Sequence, residues 1–397
     1  MSGIDSRTTK VALICTIPIT AHSFYMPLAR ALKKNGYDVS FCFGDGPEAN
    51  IIRSEGFQVK TLSIRRKPTA LGNILALFQL TVFLRRNEVV MIETSTPIAS
   101  AVGRLAAVLA GVPIRVNTIR GMFPRKTHKW QSLLFDCTEM ALHRISSFTV
   151  TINESDKQEL LRKGFAEPHK ILNMGCGSVG VDLERFNPYR YERDMIKKMK
   201  TTFDMRENDF VVTFIGRLTE DKGISEYIEV IEALSGKNDA IKGLVVGDVL
   251  EDEHEAVSRT TLEAMLVEKG IRNKVTLTGH RDDVPDLMAI TDVVVLPSKR
   301  EGFGMVLAEA AAMEKPVVAY RCRGVEEAVI EGKTGFIIEP GDINGFAAAI
   351  QYLFSNKNRA REIGLAARTE AETRFDQTKV VERYLKVFNH VIHAKLP

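Results

Sequence analysis

Glu301 and Glu309 flank a short glycine-containing stretch in LPSKREGFGMVLAEAAAMEKP, residues 296–316. The segment opens as the end of a strand, Val293–Leu296, a continuous apolar run of the kind buried on both faces of a parallel sheet. Pro297 and Ser298 break the strand, a charged loop follows, and from Gly304 the pattern MVLAEAAAM reads as a helix rich in Ala and Leu. A strand that runs through a glycine loop into a helix N-terminus makes an anion site, because backbone N–H groups and the helix dipole converge on one spot. Carboxylates beside that spot repel a phosphate. The natural role for Glu301 in the loop, and for Glu309 about one and a half turns into the helix, is to accept hydrogen bonds from sugar hydroxyls. The same spacing also fits a surface loop with a solvated Glu.

Two further segments follow predicted strands in the same half. GRLTEDKG (216–223) comes after Phe210–Ile215, and TGH (278–280) after Val275–Leu277. Ligands of open α/β sheets bind at the carboxyl ends of the strands, so the three segments point to one sheet edge. There Arg217 and Lys222 would supply two cations able to hold a diphosphate without a metal. Taken singly, each fits a surface salt bridge equally well. Taken jointly, they describe a phosphate site.

The elements that must position these residues alternate along the whole chain. Strands are expected at Val11–Thr16, Val39–Phe43, Gln58–Leu62, Val89–Glu93, Ile114–Thr118, Phe148–Ile152 and Lys170–Met174. Helices between them include Tyr25–Asn35, Ile98–Ala110 and Ser155–Lys163. The glycine-dense segment Gly175–Asn187 reads as a linker, and a second alternating series follows it. The end, Phe375–Ala394, is an amphipathic helix with Val380, Val381, Tyr384, Leu385, Phe388 and Val391 at helical spacing. Alternation of this kind stacks βαβ units on a parallel sheet. The expectation is an α/β chain of two doubly wound Rossmann-like domains with a cleft between them, 1–185 and 186–375, the helix 376–397 returning to the first.

Composition sets limits. The chain has 397 residues, 45% hydrophobic and 26% charged, with a net charge of +4. Residues 1–185 hold 24 Lys and Arg against 15 Asp and Glu, a formal +9 that leaves −5 for the rest. A basic first half fits an anionic membrane surface or substrate, or simply a scatter of solvated cations. Five cysteines, widely spaced, form no metal or disulfide pattern, which favours a reducing cytoplasm. The N-terminus lacks a signal-peptide core. Leu71–Leu84 (LGNILALFQLTVFL) is too short to span a bilayer and reads as a buried core helix in preference to a membrane-surface helix flanked by Arg65-Arg66-Lys67 and Arg85-Arg86. The loop after the first strand holds no GxGxxG, and the chain holds no GxxxxGK[ST], no GxSxG and no nucleic-acid module, so no nucleic-acid partner is expected.

GRLTEDKG, VVVLPSKREGFGMVLAEAAAMEKPVVA and GKTGFIIEPGD resemble the signature of retaining GT-B glycosyltransferases of glycosyltransferase family 4. The resemblance runs from about Val11 to Phe388. TIRGMF (118–123), TINESD (151–156) and GCGSVGVDLERF (175–186) are similar to a bacterial subgroup that builds exopolysaccharide, O-antigen or glycan precursors on polyprenyl diphosphate carriers.

The resemblance implies a nucleotide-sugar donor in the second domain, with no cofactor and no metal. Arg217 and Lys222 would bind the donor diphosphate beside Gly216, with backbone N–H groups at Phe303, Gly304 and Met305. Glu309 would hold the ribose, Glu301 the transferred sugar, and His280-Arg281 would border the base. It further implies front-side attack with retention, the leaving phosphate taking the acceptor's proton. Many members carry His-Gly where this chain has Arg120-Gly121. Arg cannot act as a base and stands there as a permanent cation toward a donor phosphate or acceptor diphosphate. A salt bridge to a neighbouring acid is the plainer reading.

The expected acceptor is a lipid-linked saccharide at the inner face of the plasma membrane. Arg65-Arg66-Lys67, Arg85-Arg86, Arg125-Lys126-His128-Lys129, Phe123 and Trp130 of a cytoplasmic, peripheral protein would meet that membrane surface. A uridine nucleotide sugar is preferred over GDP-mannose, and a hexose or N-acetylhexosamine is the transferred group. Alternatives are a soluble acceptor, a GT-B nucleotide-sugar epimerase, and a degenerate scaffold protein. Intact Arg217, Lys222, Glu301 and Glu309 speak against the last.

Overall fold

Strands of three to six residues pair here into two wholly parallel sheets. The computed structural model describes residues 9–65, 71–121, 129–175, 177, 179–236, 238–249 and 255–395. The chain divides into two units, 1–179 with 378–397, and 180–377. Arg66, Lys67, Phe123, Arg125, Lys126 and His128, and the side chains of Lys129 and Trp130, lie outside the described residues.

The first unit is built on β1 (Lys10–Ile14), β2 (Asp38–Phe43), β3 (Gln58–Thr61), β4 (Met91–Thr94), β5 (Ile114–Ile119), β6 (Phe148–Thr151) and β7 (Ile171–Asn173). The connecting helices are α1 (Pro18–Lys34), α2 (Glu48–Ser54), α3 (Leu71–Arg86), α4 (Pro97–Ala110), α5 (Lys129–Arg144) and α6 (Glu154–Arg162). The strand order is β3-β2-β1-β4-β5-β6-β7. Because strand order reverses between β3 and β4, right-handed crossovers put α1 and α2 on one face and α3 and α4 on the other. The side-chain period of two agrees: Ala12, Ile14 and Ile92 point into the cluster under α3 and α4.

Two expectations are corrected in this unit. The first helix begins at Pro18, not Tyr25, because a proline at the first helical turn loses no hydrogen bond and is already set to helical φ. Leu71–Leu84 is not a buried core helix. Ala76, Leu80, Phe83 and Leu84 of α3 face the core, while Leu71, Ile74, Leu75 and Phe78 stand exposed.

The second unit carries β8 (Phe210–Ile215), β9 (Ile241–Val246), β10 (Val275–Leu277), β11 (Val293–Leu296), β12 (Val317–Tyr320) and β13 (Gly335–Ile338). Its helices are α7 (Arg193–Thr202), α8 (Ile224–Ser235), α9 (Arg259–Glu268), α10 (Val284–Ala289), α11 (Met305–Ala312), α12 (Val325–Ala328), α13 (Ile343–Ser355) and α14 (Lys357–Glu370). Strand order is β10-β9-β8-β11-β12-β13. Val293–Leu296 is buried throughout, as its unbroken apolar run requires.

The last helix, α15 (Gln377–Lys395), groups with the first unit from Thr378 onward. Val380, Tyr384, Phe388 and Val391 form its buried face, and His390 meets Phe148 edge-on at 6.3 Å.

One glycine decides how the loops of the second unit sit. Gly223 has φ +77°, and a Cβ there would stand 2.0 Å from the Pro297 carbonyl oxygen. The loop after β8 is thereby pressed against the loop after β11. Gly223→Ala adds a steric clash to left-handed strain, together about 2 kcal/mol or more, and should lower the melting temperature by roughly 4–8 °C. Gly270 has φ +68° and nothing within 4 Å of its Cβ position. Gly270→Ala carries the strain alone and should cost about half as much. Equal losses in a calorimetric scan would show that the contact with Pro297 contributes nothing.

Candidate active site

The loops leaving β8 and β11 stand at the point where the second sheet reverses its strand order, and they carry GRLTEDKG and PSKREGFG. A crevice opens at such a reversal in open α/β sheets. The two loops are joined by more than the Gly223 contact. The Lys299 N–H donates to the Asp221 carbonyl at 2.9 Å, and Ser298 Oγ donates to the Lys222 carbonyl at 3.4 Å. This registration lands Lys222 Nζ 2.6 Å from Glu301 Oε1, with the two side chains only 18% and 10% exposed. The loop after β12 closes on the same place, since a Cβ at Gly324 would meet the Gly302 and Phe303 backbone at 2.5 Å.

Phe303 anchors the EGFG loop. Its ring is buried and lies edge-on to Phe375 at 5.4 Å. α11 then starts at Met305 with Gly304 as its N-cap, so the backbone of Phe303, Gly304 and Met305 lies at the helix N-terminus. Gly216 closes β8, its N–H donating to the Val246 carbonyl at 3.0 Å. Arg217 follows, half-exposed, with Nη2 3.9 Å from Asp221 Oδ2. Arg300 reaches the same carboxylate at 3.3 Å. Burial pushes the Asp221 carboxyl up, but the Thr219 hydroxyl and the Arg217, Lys222 and Arg300 cations outweigh it and hold its pKa below the ordinary value. Asp221 is thus a permanent anion that gathers three cations. Neither Asp221 nor Arg300 is singled out by its place in the sequence.

His280 and Arg281 leave β10 on the flank of this edge. The Gly247 N–H donates to the Gly279 carbonyl at 2.9 Å and ties their loop to the one after β9. His280 is mostly exposed, 3.5 Å from Asp282, and Arg281 is held by Asp283 through a 2.7 Å hydrogen bond. Gly216, Arg217, Lys222, Glu301, Phe303, Gly304 and Met305 therefore come together at one sheet edge, with His280 and Arg281 to the side.

Glu309 lies on α11 where the spacing puts it, and its side chain is half-buried. Burial raises its pKa to about 7, and the Arg185 cation partly offsets that rise. Arg185 is a residue to which the sequence assigns no role. It is delivered by a turn in which the Asp182 carboxylate accepts the Glu184 and Arg185 N–H groups at 3.0 and 3.1 Å, and its Nη2 donates to the Asp282 carbonyl at 2.7 Å. The available signal was its place within GCGSVGVDLERF.

The first unit carries a polar cluster at its own reversal, between β1 and β4. Arg120 sits just past β5 with its guanidinium carbon 5.1 Å from the ring centroids of both Phe24 and Tyr25, a cation–π arrangement. Arg120 Nε and Nη1 are buried without a hydrogen-bond partner among the described residues. Glu93, near the end of β4, is wholly buried. Its Oε1 accepts from the Thr118 hydroxyl at 2.6 Å, and its Oε2 has no partner among the described residues. Burial pushes the Glu93 carboxyl up to about 7, against the Thr118 hydrogen bond and the Arg120 cation. Nothing in the sequence marks Glu93, which reads only as the end of a strand. Among the described residues, no three or more His, Cys, Asp or Glu stand close enough to hold a metal ion.

Residues 195–370 match the model of a family described as Glycosyl transferases group 1, and residues 21–177 match the Glycosyl transferase 4-like domain. The capsular polysaccharide biosynthesis glycosyltransferase CapM of Staphylococcus aureus is 27% identical over 92% of this chain and 94% of its own length. An Escherichia coli enzyme, UDP-Gal:alpha-D-GlcNAc-diphosphoundecaprenol alpha-1,3-galactosyltransferase, is 26% identical over 82% of each. The crystal structure of Anabaena HepE in complex with UDP has the same fold, with a TM-score of 0.81 and 21% identity over 96% of this chain and all of that one. The chain therefore carries a glycosyltransferase 4-like domain in its first unit and a group 1 glycosyltransferase domain in its second, on the two-sheet GT-B fold.

Proposed function

We propose that this glycosyltransferase moves a hexose or N-acetylhexosamine, with retention of configuration, from a UDP-sugar to a saccharide on a polyprenyl diphosphate in bacterial polysaccharide or glycan biosynthesis. The observation that carries the donor half is the Lys222–Glu301 contact beside Arg217 and the N-terminus of α11. It sets phosphate-binding cations and a hydroxyl-binding carboxylate at one point. The E. coli relative acts, by its name, on a diphosphoundecaprenol acceptor with UDP-Gal, and HepE binds UDP. The E. coli relative supports the nucleotide and the acceptor class, and HepE supports the nucleotide.

In this reading Arg217 and Lys222 hold the donor diphosphate at Gly216, and the backbone N–H groups of Phe303, Gly304 and Met305 complete the cradle. Glu301 accepts from the transferred sugar, Glu309 from the ribose, and His280 and Arg281 border the base. As the bond from the anomeric carbon to the phosphate oxygen breaks, its electron pair leaves with the nucleoside diphosphate. Fixed cations stabilise that charge, so no metal is required. The acceptor hydroxyl bonds to the anomeric carbon from the same face and gives its proton to the departing phosphate oxygen. Arg120, a cation that cannot take a proton, meets a phosphate of donor or acceptor. The first unit binds the acceptor, and the protein works at the cytoplasmic face of the membrane.

Three outcomes test this reading. Ligand binding to the folded state alone raises its melting temperature, so UDP without metal should stabilise the protein, GDP should not, and Arg217→Ala with Lys222→Ala should abolish the shift. A larger shift with GDP would replace the uridine donor with a guanosine one. Glu309 must be ionised to accept two ribose hydroxyls, and its pKa lies at about 7. Donor binding therefore weakens as pH falls through that value, roughly tenfold between pH ~8 and ~6. The diphosphate diester of a UDP-sugar does not titrate there, and Glu309→Gln should flatten the dependence measured by calorimetry. Finally, a fluorinated donor should leave no sugar covalently attached to the protein; a labelled peptide in the mass spectrum would replace front-side attack by a two-step displacement.

A further inference from the structure

Of the large apolar side chains exposed among the described residues, half lie on α3 and α4. On α3 they are Leu71, Ile74, Leu75 and Phe78, spaced i, i+3, i+4, i+7, so they form one stripe. Leu71 is 82% exposed and Phe78 68%. Leu105, Val108 and Leu109 make a shorter stripe on α4. The two helices pack against each other in one layer over the sheet, with inner faces in a shared core. Their exposed stripes are therefore neighbours on the outer surface of that layer. Isolated exposed apolar residues are ordinary, but a contiguous group of this kind marks a docking surface.

Charge selects the partner. Neither helix contains an Asp or Glu, and the one charged residue on α4, Arg104, is buried. The α3 stripe runs on into Arg85 and Arg86, both exposed. At the other end exposed Arg65 lies beside the first turn, its N–H donating to Asn73 Oδ1 at 2.8 Å. An acid-free apolar stripe with arginines at both ends fits a bilayer with anionic headgroups, the apolar side chains reaching the acyl boundary and the guanidiniums the phosphates. At 16 residues α3 is about 24 Å long, and no helix among the described residues is long and apolar enough to cross a membrane. That length suits a helix lying in the interface plane of a bilayer, not one crossing it.

We infer that the outer faces of α3 and α4 form the surface by which this enzyme docks on an anionic membrane, α3 lying along the headgroup boundary. This deepens the reading of a lipid-linked acceptor, since it brings the first unit to the leaflet that holds such a lipid.

The test is co-sedimentation of the full chain with vesicles of phosphatidylcholine, alone or with phosphatidylglycerol. The wild type should bind the anionic vesicles and lose binding as salt is raised. Ile74→Gln with Phe78→Gln should lower the partition coefficient by about tenfold or more. Arg85→Gln with Arg86→Gln should lower it by roughly fivefold per residue on anionic vesicles only. All four side chains face solvent, and an unchanged melting temperature together with an unchanged UDP-induced shift verifies that each variant is folded. Vesicle binding equal to wild type in Ile74→Gln/Phe78→Gln overturns the inference. So does a wild-type dimer that this variant dissociates, because the stripe then belongs to a second copy. The UDP shift is read in the same samples, so loss of docking and loss of the donor site are separately visible.

Discussion

The second unit depends on the close approach of two backbone segments. Gly223 admits the Pro297 carbonyl where any side chain would collide with it, and the hydrogen bonds from Lys299 and Ser298 fix the register. Lys222 is the residue before that glycine, and Glu301 lies four residues beyond Pro297. Their pairing at 2.6 Å follows from the loop contact. A long Lys side chain carries rotamer entropy that an exposed salt bridge seldom recovers. Here the chain is mostly buried and its head is already placed, so the diphosphate proposed to bind beside it would need to order little more. The acid also keeps the ammonium from being left unpaired in a half-buried crevice when no ligand is present.

Burial sets the other electrostatic feature. Glu309 and Glu93, one in each unit, are both raised to about 7, and in both the first cause is loss of water. Each has one cation nearby, Arg185 or Arg120, which lowers the shift without cancelling it. A carboxyl in that state holds or releases a proton near neutrality at small cost. Asp221 shows the contrast within a few residues of Lys222. It too is desolvated, but three cations and a hydroxyl keep it ionised. The proposed donor edge therefore combines one fixed anion, which gathers cations, with one adaptable acid on α11.

Local signals in the sequence were strong where an element's pattern and its tertiary role agree. Val293–Leu296 is apolar on both faces because β11 is buried on both faces. The a/d-like spacing of Val380, Tyr384, Phe388 and Val391 matches the buried face of α15. Gly216, Arg217, Lys222, Glu301 and the start of α11 met at one edge because each follows a strand of the same sheet. Arg185, Asp221 and Glu93 were not legible. Their importance comes from what the fold brings beside them, α11 for Arg185 and Arg120 for Glu93, across separations that no local spacing encodes.

The correction to α3 has a specific cause. Apolar periodicity reveals a buried face only by contrast with a polar one. In LGNILALFQLTVFLRR the core face is Ala76, Leu80, Phe83 and Leu84, while the opposite face is Leu71, Ile74, Leu75 and Phe78. With both faces apolar the contrast vanishes, and composition alone suggests a helix surrounded by protein. Only the three-dimensional arrangement shows that the sheet and α4 cover one side. A helix that keeps a second apolar face exposed has an energetic reason to meet something other than water there. The absence of acids along both helices and the arginines at the ends of α3 are the grounds for inferring an anionic, apolar-cored surface as that partner.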